Sequence, residues 1–440
     1  MNDSRQNKHS IQGFENRKIV RLKDVGSLQN GISKGKDYFG FGFPFVSYGN
    51  IYNDTIELEQ ISTLANSTLE DQKQYSVLEG DVFFTRTSET IDEIGISATA
   101  LQTIPKATFS GFVIRLRPTK RLIKKEYSKY FFKADLNRQF LSGQISLVTR
   151  ASLNQNTLSN LPVILPSMEE QTAIANYLDT KTQAIDKKLS LLQKKIGYYQ
   201  ELRKSLINVT VTKGLDKKVK FKDSGIDWIG QIPEHWEIVR IKDFTYVKAR
   251  IGWQGLRSDE FELAGDYYCV TGTDFIEGSI DWSNCYHVEK ERYIQDRKII
   301  LRIGDLLITK DGSIGKTAIV NNLPKPATLN SGVFVTRPRQ GKYLNRYMYW
   351  LLNSKVFLDF IDFAKNGTTI LHLYQNVFEN FFYCLPPLLE QEEISNFLES
   401  KTIKIDHIIT NLQTQITFLK ELRKTLINDA ITGKIKVIND

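Results

Sequence analysis

Leu165-Pro166-Ser167-Met168-Glu169-Glu170-Gln171 opens a stretch that returns 220 residues later as Leu385-Pro386-Pro387-Leu388-Leu389-Glu390-Gln391. The match runs without a gap from 165–214 to 385–434, and 22 of 50 positions are identical. Ile174, Asn176, Leu178, Lys181-Thr182, Ile185-Asp186, Leu192-Gln193, Ile196, Glu201-Leu202-Arg203-Lys204 and Leu206-Ile207-Asn208 all recur at the same offset. A repeat of this length means two copies of one structural unit. Weaker echoes precede both copies. Ile19-Val20-Arg21-Leu22-Lys23-Asp24 resembles Ile238-Val239-Arg240-Ile241-Lys242-Asp243, and Gly80-Asp81 with Thr85-Arg86 resembles Gly304-Asp305 with Thr309-Lys310. Ser110-Gly111 is matched to Ser331-Gly332, and Gln155-Asn156 to Gln375-Asn376. The chain is a tandem duplication in which each unit has a variable first part and a constant last part.

The constant part reads as one long helix. Glu, Gln, Lys and Leu dominate it, and neither Pro nor Gly interrupts Met168 to Ile196 or Leu388 to Leu426. Leu178, Ile185, Leu192, Tyr199 and Leu206 fall seven apart, as do Leu398, Ile405, Leu412, Leu419 and Leu426. With Thr182, Leu189 and Ile196, or Thr402, Ile409 and Ile416, between them, they form the two seam positions of a coiled coil. A helix over about 169–209 spans roughly 60 Å at 1.5 Å per residue. Each helix has the other as its partner in the same chain, and an antiparallel pair closed by a pseudo-twofold axis is the simplest pairing. Packing of each helix on its own domain, or seam pairing between two chains, is the alternative. Lys187, Lys188, Lys194 and Lys195 lie off the seam, on a face that is either solvated or open to another protein's helix.

The variable parts mix short β-type runs (Asp81 to Thr85, Phe112 to Leu116, Asp305 to Thr309, Val333 to Thr336) with Gly- and Asn-rich loops. Each also carries one aromatic-rich helical segment, Tyr127 to Leu141 and Tyr347 to Phe363. Different loops on a repeated scaffold suit two modules that recognise different targets. Residues 101–165 hold eleven Lys and Arg against Glu126 and Asp135, and 321–385 hold seven against three acidic residues. A local basic excess is what phosphate neutralisation requires, although Lys120 to Lys133 also fit a solvated helix face. Cationic loop residues beside glycine are the better candidates, because backbone and side chain can both approach a groove there. The expected DNA-contacting set is Lys34, Lys36, Arg86, Ser110 and Arg150 in the first unit. In the second it is Arg250, Arg257, Lys310, Ser331, Lys365 and His372.

The 440 residues are 41% hydrophobic and 25% charged with a net charge of +9, which excludes a disordered chain and fits a polyanionic partner. Three cysteines without a C-x-x-C pair give no disulfide framework or zinc ribbon, and a polar start from Met1 to His9 reads as no signal peptide. No run of 18 apolar residues occurs, so a cytoplasmic protein without membrane spans is expected. Catalytic chemistry is missing. Gly315-Lys316-Thr317 ends like a phosphate loop, but Lys310 stands where that loop needs its first glycine, so a β-turn is expected. The five histidines are scattered without ligand spacing, and Pro233-Glu234-His235-Trp236 reads as a packed turn. No catalytic, cofactor-binding or metal residue is expected.

One string identifies a family. Asp223-Ser224-Gly225-Ile226-Asp227-Trp228-Ile229-Gly230-Gln231-Ile232-Pro233-Glu234-His235-Trp236 is similar to the entry of the second recognition domain in specificity subunits of type I restriction-modification systems. The two Leu-Pro-x-x-x-Glu-Gln motifs, the Gly-Asp strands and the Glu-Leu-Arg-Lys-x-Leu-Ile blocks also resemble that family over nearly the whole chain. The first unit opens Gly13-Phe14-Glu15-Asn16-Arg17, without the full string. The resemblance implies an α+β chain with two target-recognition domains, 15–165 and 235–385, and two long antiparallel helical regions, 166–214 and 386–434. Residues 1–14 would be a flexible N-terminus and 215–234 a linker. It further implies that each domain reads one half of a split DNA target, that the helices fix the gap, and that two methyltransferase (modification) subunits bind them. S-adenosylmethionine would belong to those subunits, and ATP to restriction subunits where these join. A self-contained methyltransferase or nuclease with an unrecognised site is the competing reading, and a coiled-coil scaffold without a DNA role is a third.

Overall fold

The computed structural model describes residues 17–144, 151–251, 255–364 and 372–437. The chain divides into two compact units, one holding residues up to Leu192 together with those from Gln413 onward, the other Gln193–Leu412.

In the first unit Lys18–Arg21 pairs antiparallel with Pro162–Leu165, so the domain's first and last strands lie side by side. The main sheet runs in the order Gly26–Asn30, Val113–Pro118, Val82–Thr85, Ser97–Ala100, Thr55–Ile56, and only the last pairing is parallel. Alternation along each strand sends side chains to two cores. Phe84, Ile114 and Leu116 pack on the helical segments, while Phe83 and Val113 face a second cluster with Val46, Ile51 and Phe109. The second unit repeats the plan. Glu237–Arg240 pairs with Phe382–Leu385, and the main sheet runs Thr245–Ala249, Val333–Pro338, Leu306–Thr309, Thr317–Ile319.

The aromatic segment expected as one helix in each domain is two. Lys125–Phe131 is followed by Asp135–Gln144, and Asn345–Leu352 by Lys355–Ala364. Polar side chains take the carbonyls at the breaks, which lets a helix end inside a core: Asn137 Nδ2 donates to Phe131 O at 2.5 Å and Ser354 Oγ to Leu351 O at 2.6 Å.

The constant parts are helices of 46 and 45 residues, Met168–Lys213 and Leu388–Thr432. Gly197 sits inside the first without breaking it, at a cost of about 1 kcal/mol relative to Ala. In unit 1, Ile174 and Leu178 share a core with Ile427, Ala430 and Ile431, while Asp186 Oδ1 lies 3.2 Å from Arg423 Nε. In unit 2, Ile207 and Val211 share a core with Ile394 and Leu398, and Arg203 Nε lies 3.0 Å from Asp406 Oδ1. Residue numbers rise on one helix as they fall on the other, so within each unit the two segments run antiparallel. Leu178, Ile185, Leu192, Leu398, Ile405 and Leu412 are all buried, and Tyr199 and Leu419 are half-buried.

The repeated motifs join domain to helix. Gln171 and Gln391 are fully buried, each at the first turn of its long helix. Gln171 Nε2 donates to Leu122 O and Pro166 O at 3.0 and 3.1 Å, and its Oε1 accepts from Lys124 N at 2.8 Å. Gln391 makes the corresponding bonds to Lys342 O, Pro386 O and Leu344 N at 3.2, 2.8 and 2.8 Å. The neighbouring glutamate anchors the chain entering each domain. Glu170 pairs with Arg17, and Glu390 takes His235 Nε2 at 2.7 Å and Trp236 Nε1 at 3.0 Å. Pro233-Glu234-His235-Trp236 is thus a packed turn over Gly214, whose φ of +71° ends the first helix under the indole. Residues 215–234 are more than a connector: Phe221–Asp223 and Gln231–Pro233 form a hairpin, and Trp228 packs on Phe360 and Phe363.

Candidate nucleic-acid interface

The Gly-Asp strands explain themselves. Gly80 and Gly304 hold φ of +85° and +88°, and the aspartate that follows is buried. Asp81 takes a two-pronged bond from Arg117 at 2.8 and 2.6 Å, and Asp305 the same from Arg337 at 2.7 and 2.6 Å. A fork of this kind fixes the register of neighbouring strands. At the far ends of these strands Thr85 Oγ1 accepts from Ile96 N and Thr309 Oγ1 from Lys316 N, both at 2.9 Å. The following residues, Arg86 and Lys310, are thereby delivered to the same place in each domain.

In unit 1 the Arg86 amide donates to Phe112 O at 3.0 Å and its carbonyl accepts from Leu153 N at 2.7 Å. Its guanidinium Nη1 reaches Gly111 O at 3.2 Å. Gly111 N in turn donates to Ile32 O at 2.7 Å, and a Cβ on Gly111 would stand 2.1 Å from Ser33 Oγ. A larger residue there would displace the Ser33 side chain and crowd Ile32 O at 3.0 Å. Lys34 and Lys36 follow on the same loop and are exposed, and Phe112, next to Gly111, is 62% exposed. Arg86 is therefore held, through Gly111, against the start of the loop that carries Lys34 and Lys36. Ser110 belongs to the wall of this rim: it is buried, and its hydroxyl accepts from Phe112 N at 3.2 Å.

In unit 2 the Lys310 amide donates to Gly332 O at 2.9 Å and its carbonyl accepts from Leu373 N at 2.7 Å. Lys310 Nζ and His372 Nδ1 both meet Asp311, at 3.0 and 2.6 Å. His372 is half exposed and Tyr374 beside it is 62% exposed, with ring centroids 6.2 Å apart. Ser331 lies next to this cluster, its amide turned to Asn330 Oδ1 at 2.6 Å. The matching of Ser110-Gly111 to Ser331-Gly332 is corrected by the backbone. Ser110 N donates to Val46 O and Asn330 N to Val270 O, at 3.0 and 2.9 Å, so Ser110 corresponds to Asn330.

Two expected contacts take other places. Arg250 is 2% exposed; its guanidinium donates to Leu329 O at 2.8 Å, Gln295 Oε1 at 3.0 Å and Thr328 Oγ1 at 3.3 Å. Burial holds its pKa below the ordinary arginine value, and it braces strands instead of facing outward. Arg257 is exposed but begins a short helical turn, paired with Asp259 and Glu260 at 3.5 and 3.8 Å. Arg150 and Lys365 lie outside the described residues.

Much of the basic excess of the first domain faces protein. Lys124 Nζ donates to Thr172 Oγ1 at 2.5 Å, Lys129 pairs with Asp179 at 2.5 Å, and Lys133 pairs with Asp54. Arg115 is buried, donating to Ser76 O at 2.7 Å. Sequence reasoning missed the exposed aromatic partners Phe112 and Tyr374, which no charge pattern marks. Long cationic chains read alike whether they meet a carboxylate or a phosphate.

The rims present cations and aromatic rings over backbone fixed by buried bonds. Such a surface can contact phosphates and base edges. Among the described residues no cluster of His, Cys, Asp or Glu is arranged to hold a metal. The three thiols are buried, and burial pushes Cys269 and Cys384 up to about 12. No helix among the described residues is long and apolar enough to cross a membrane.

Residues 15–194 and 233–417 each match the type I restriction modification DNA specificity domain. The chain belongs to the specificity subunits of type I restriction-modification systems. Its role is DNA specificity within such a complex; it is itself non-catalytic, and its family carries no cofactor of its own. A putative type I restriction enzyme MjaX specificity subunit from Methanocaldococcus jannaschii is 25% identical, over 96% of this chain and 94% of that one. The EcoBI specificity subunit of Escherichia coli is 22% identical over 70% of this chain and 66% of that one. The fold is similar to a chain solved in a study of type I complex assembly and conformational transition, at 16% identity and a TM-score of 0.72, covering 96% and 99% of the two chains. The HsdS subunit of Thermoanaerobacter tengcongensis is also similar, at 16% identity and a TM-score of 0.51, with 95% and 97% covered. The α+β class, with two specificity domains in tandem and two long helices, is as expected from the sequence.

Proposed function

We propose that the two domains of this specificity subunit each read one half of a split, asymmetric DNA target, while the long helices set the gap and bind two modification subunits. The carrying observation is that two domains of one plan, with different rims, each end in their own long helix through the same glutamine. The first rim offers Lys34, Lys36, Arg86 and Phe112; the second offers Lys310, Ser331, His372 and Tyr374. Arg150 and Lys365 belong to the same set by sequence. Affinity comes from phosphates and selection from base edges. S-adenosylmethionine is held by the modification subunits, and ATP by restriction subunits where these join the complex.

The helices carry apolar side chains off the seam that suit a partner's helices. Tyr198 and Leu202 are 75% and 51% exposed, and their repeats Phe418 and Leu422 are 70% and 47% exposed. One such pair on each copy of the repeat supports two equivalent modification subunits. The test is exchange of residues 15–164 for the first domain of another family member, with methylated sites mapped in a host genome. One half of the target changes and the other stays. If both halves change, or neither does, the modular reading fails. Methylation by the isolated chain would instead favour a self-contained enzyme.

A further inference from the structure

Among the described residues the Asp54 ion pairs of the first domain are not repeated in the second unit, where Arg346 pairs with Glu399 to tie domain to helix. In unit 1 the Asp54 carboxylate, just ahead of the strand Thr55–Ile56, accepts from Lys133 Nζ and from Arg423 Nη2 of the second long helix. Arg423 is held from its other side by Asp186 of the first long helix, Nε to Oδ1 at 3.2 Å. One carboxylate thus links the chain entering the sheet, Lys133 between the two helical segments and the second long helix, and Arg423 passes the link on to the first. Lys424–Asp135 at 3.2 Å and Lys129–Asp179 at 2.5 Å flank it. Nearby cations hold the Asp54 carboxyl below the usual carboxylate range despite partial burial.

In unit 2 the repeat of the helix pair is intact, because Arg203 meets Asp406 at 3.0 Å. The domain side differs. Asn353 stands where Lys133 does, and its amide turns inward to Thr317 Oγ1 at 2.6 Å. Unit 1 has a pocket of about 300 Å³ beside Asp54 and Lys133, and at the matching place unit 2 has a wider groove of about 660 Å³ lined by Phe275, Glu277, Lys316, Arg203, Ile403 and Asp406. The helix repeat alone does not call for the extra linkage of unit 1.

We propose that Asp54, with Lys133 and Arg423, is a positioning device that fixes the angle between the first recognition domain and the helices, and so sets how strictly the gap between half-sites is enforced. This rests on the bipartite reading above. A network that joins three elements through one shared carboxylate holds their orientation as a unit, and removing its centre leaves two partly buried cations without their partner.

The experiment uses the full chain assembled with its modification subunits. Methylation rates are measured on duplexes carrying both half-sites at the native gap, one base pair shorter and one longer. For Asp54→Asn the rate on the altered gaps relative to the native one rises about tenfold, the size of effect expected for one lost coupling in a network. Base preferences within each half-site stay the same, Asp54→Glu keeps the strict gap, and Lys133→Gln relaxes it as Asp54→Asn does. An unchanged ratio in Asp54→Asn, an equally relaxed Asp54→Glu, or a uniform loss at every gap length would each overturn the proposal. Failure of the bipartite reading itself looks different: the wild-type complex would then methylate all gap lengths alike.

Discussion

Replacing Gln391 with alanine removes the joint between the second domain and its long helix. Three hydrogen bonds vanish, to Lys342 O, Pro386 O and Leu344 N, and the side chain that makes them is fully buried. Each buried backbone group left without a partner costs about 1–3 kcal/mol, and partial hydration of the vacated space brings the total to about 3–5 kcal/mol. At about 2–4 °C per kcal/mol for a unit of this size, the transition falls by roughly 10 °C. Tryptophan fluorescence is the right probe, because all five tryptophans lie between Trp228 and Trp350 and report the second unit alone. One of them, Trp236, is bonded to Glu390 next to the mutated residue. The control is Gln391→Met, which keeps the volume without the bonds and shows nearly the same loss. A variant Gln391→Ala that unfolds within about 2 °C of the wild type, or a Gln391→Met as stable as the wild type, would refute the account of this joint.

Three further outcomes follow from the same geometry. Lys34→Ala leaves the melting temperature unchanged but reduces the salt slope of DNA binding by about one, whereas Arg250→Ala destabilises the fold by about 2–4 kcal/mol; urea titration and binding at several salt concentrations separate the two. Asp54 has a depressed pKa in the folded state, so its contribution to stability is complete above the unfolded value of about 4 and is lost as pH falls through the folded one; Asp54→Asn therefore flattens the acid limb of the stability profile of the first unit, and an identical limb in both proteins contradicts this. The thiols of Cys269, Cys285 and Cys384 are buried and raised in pKa, so a thiol reagent at neutral pH labels none of them until urea unfolds the chain.

What could be read beforehand and what could not divide along physical lines. The helices were legible because a gapless repeat with seam residues seven apart leaves one structure that buries them. Leu178, Ile185 and their repeats are buried for that reason. The break within each aromatic segment was not legible, since Asn137 and Ser354 look like ordinary helix-surface residues until their side chains take a carbonyl. The exposure of Lys34 and Lys36 was legible from the glycines that flank them, Gly31 and Gly35. Inward contacts were not legible at Arg250, whose charge satisfies carbonyls of its own domain, nor at Lys129 and Lys133, which meet Asp179 and Asp54. Matching by identity also slipped one residue at Ser331. The strand register is fixed by the Arg117–Asp81 and Arg337–Asp305 forks, and it pairs Ser110 with Asn330.

The glutamine joint has a consequence for how such chains diversify. Of the recognition domain it asks only main-chain groups, one amide and one carbonyl, and no particular side chain. A foreign module must offer those two atoms just ahead of its first helical segment, as Leu122 and Lys124 do here, together with apolar side chains to cover the stem's first turns. A recombination event ending in the duplicated stretch keeps the glutamine on the stem, and leaves the side chains that meet the stem as what the newcomer must bring.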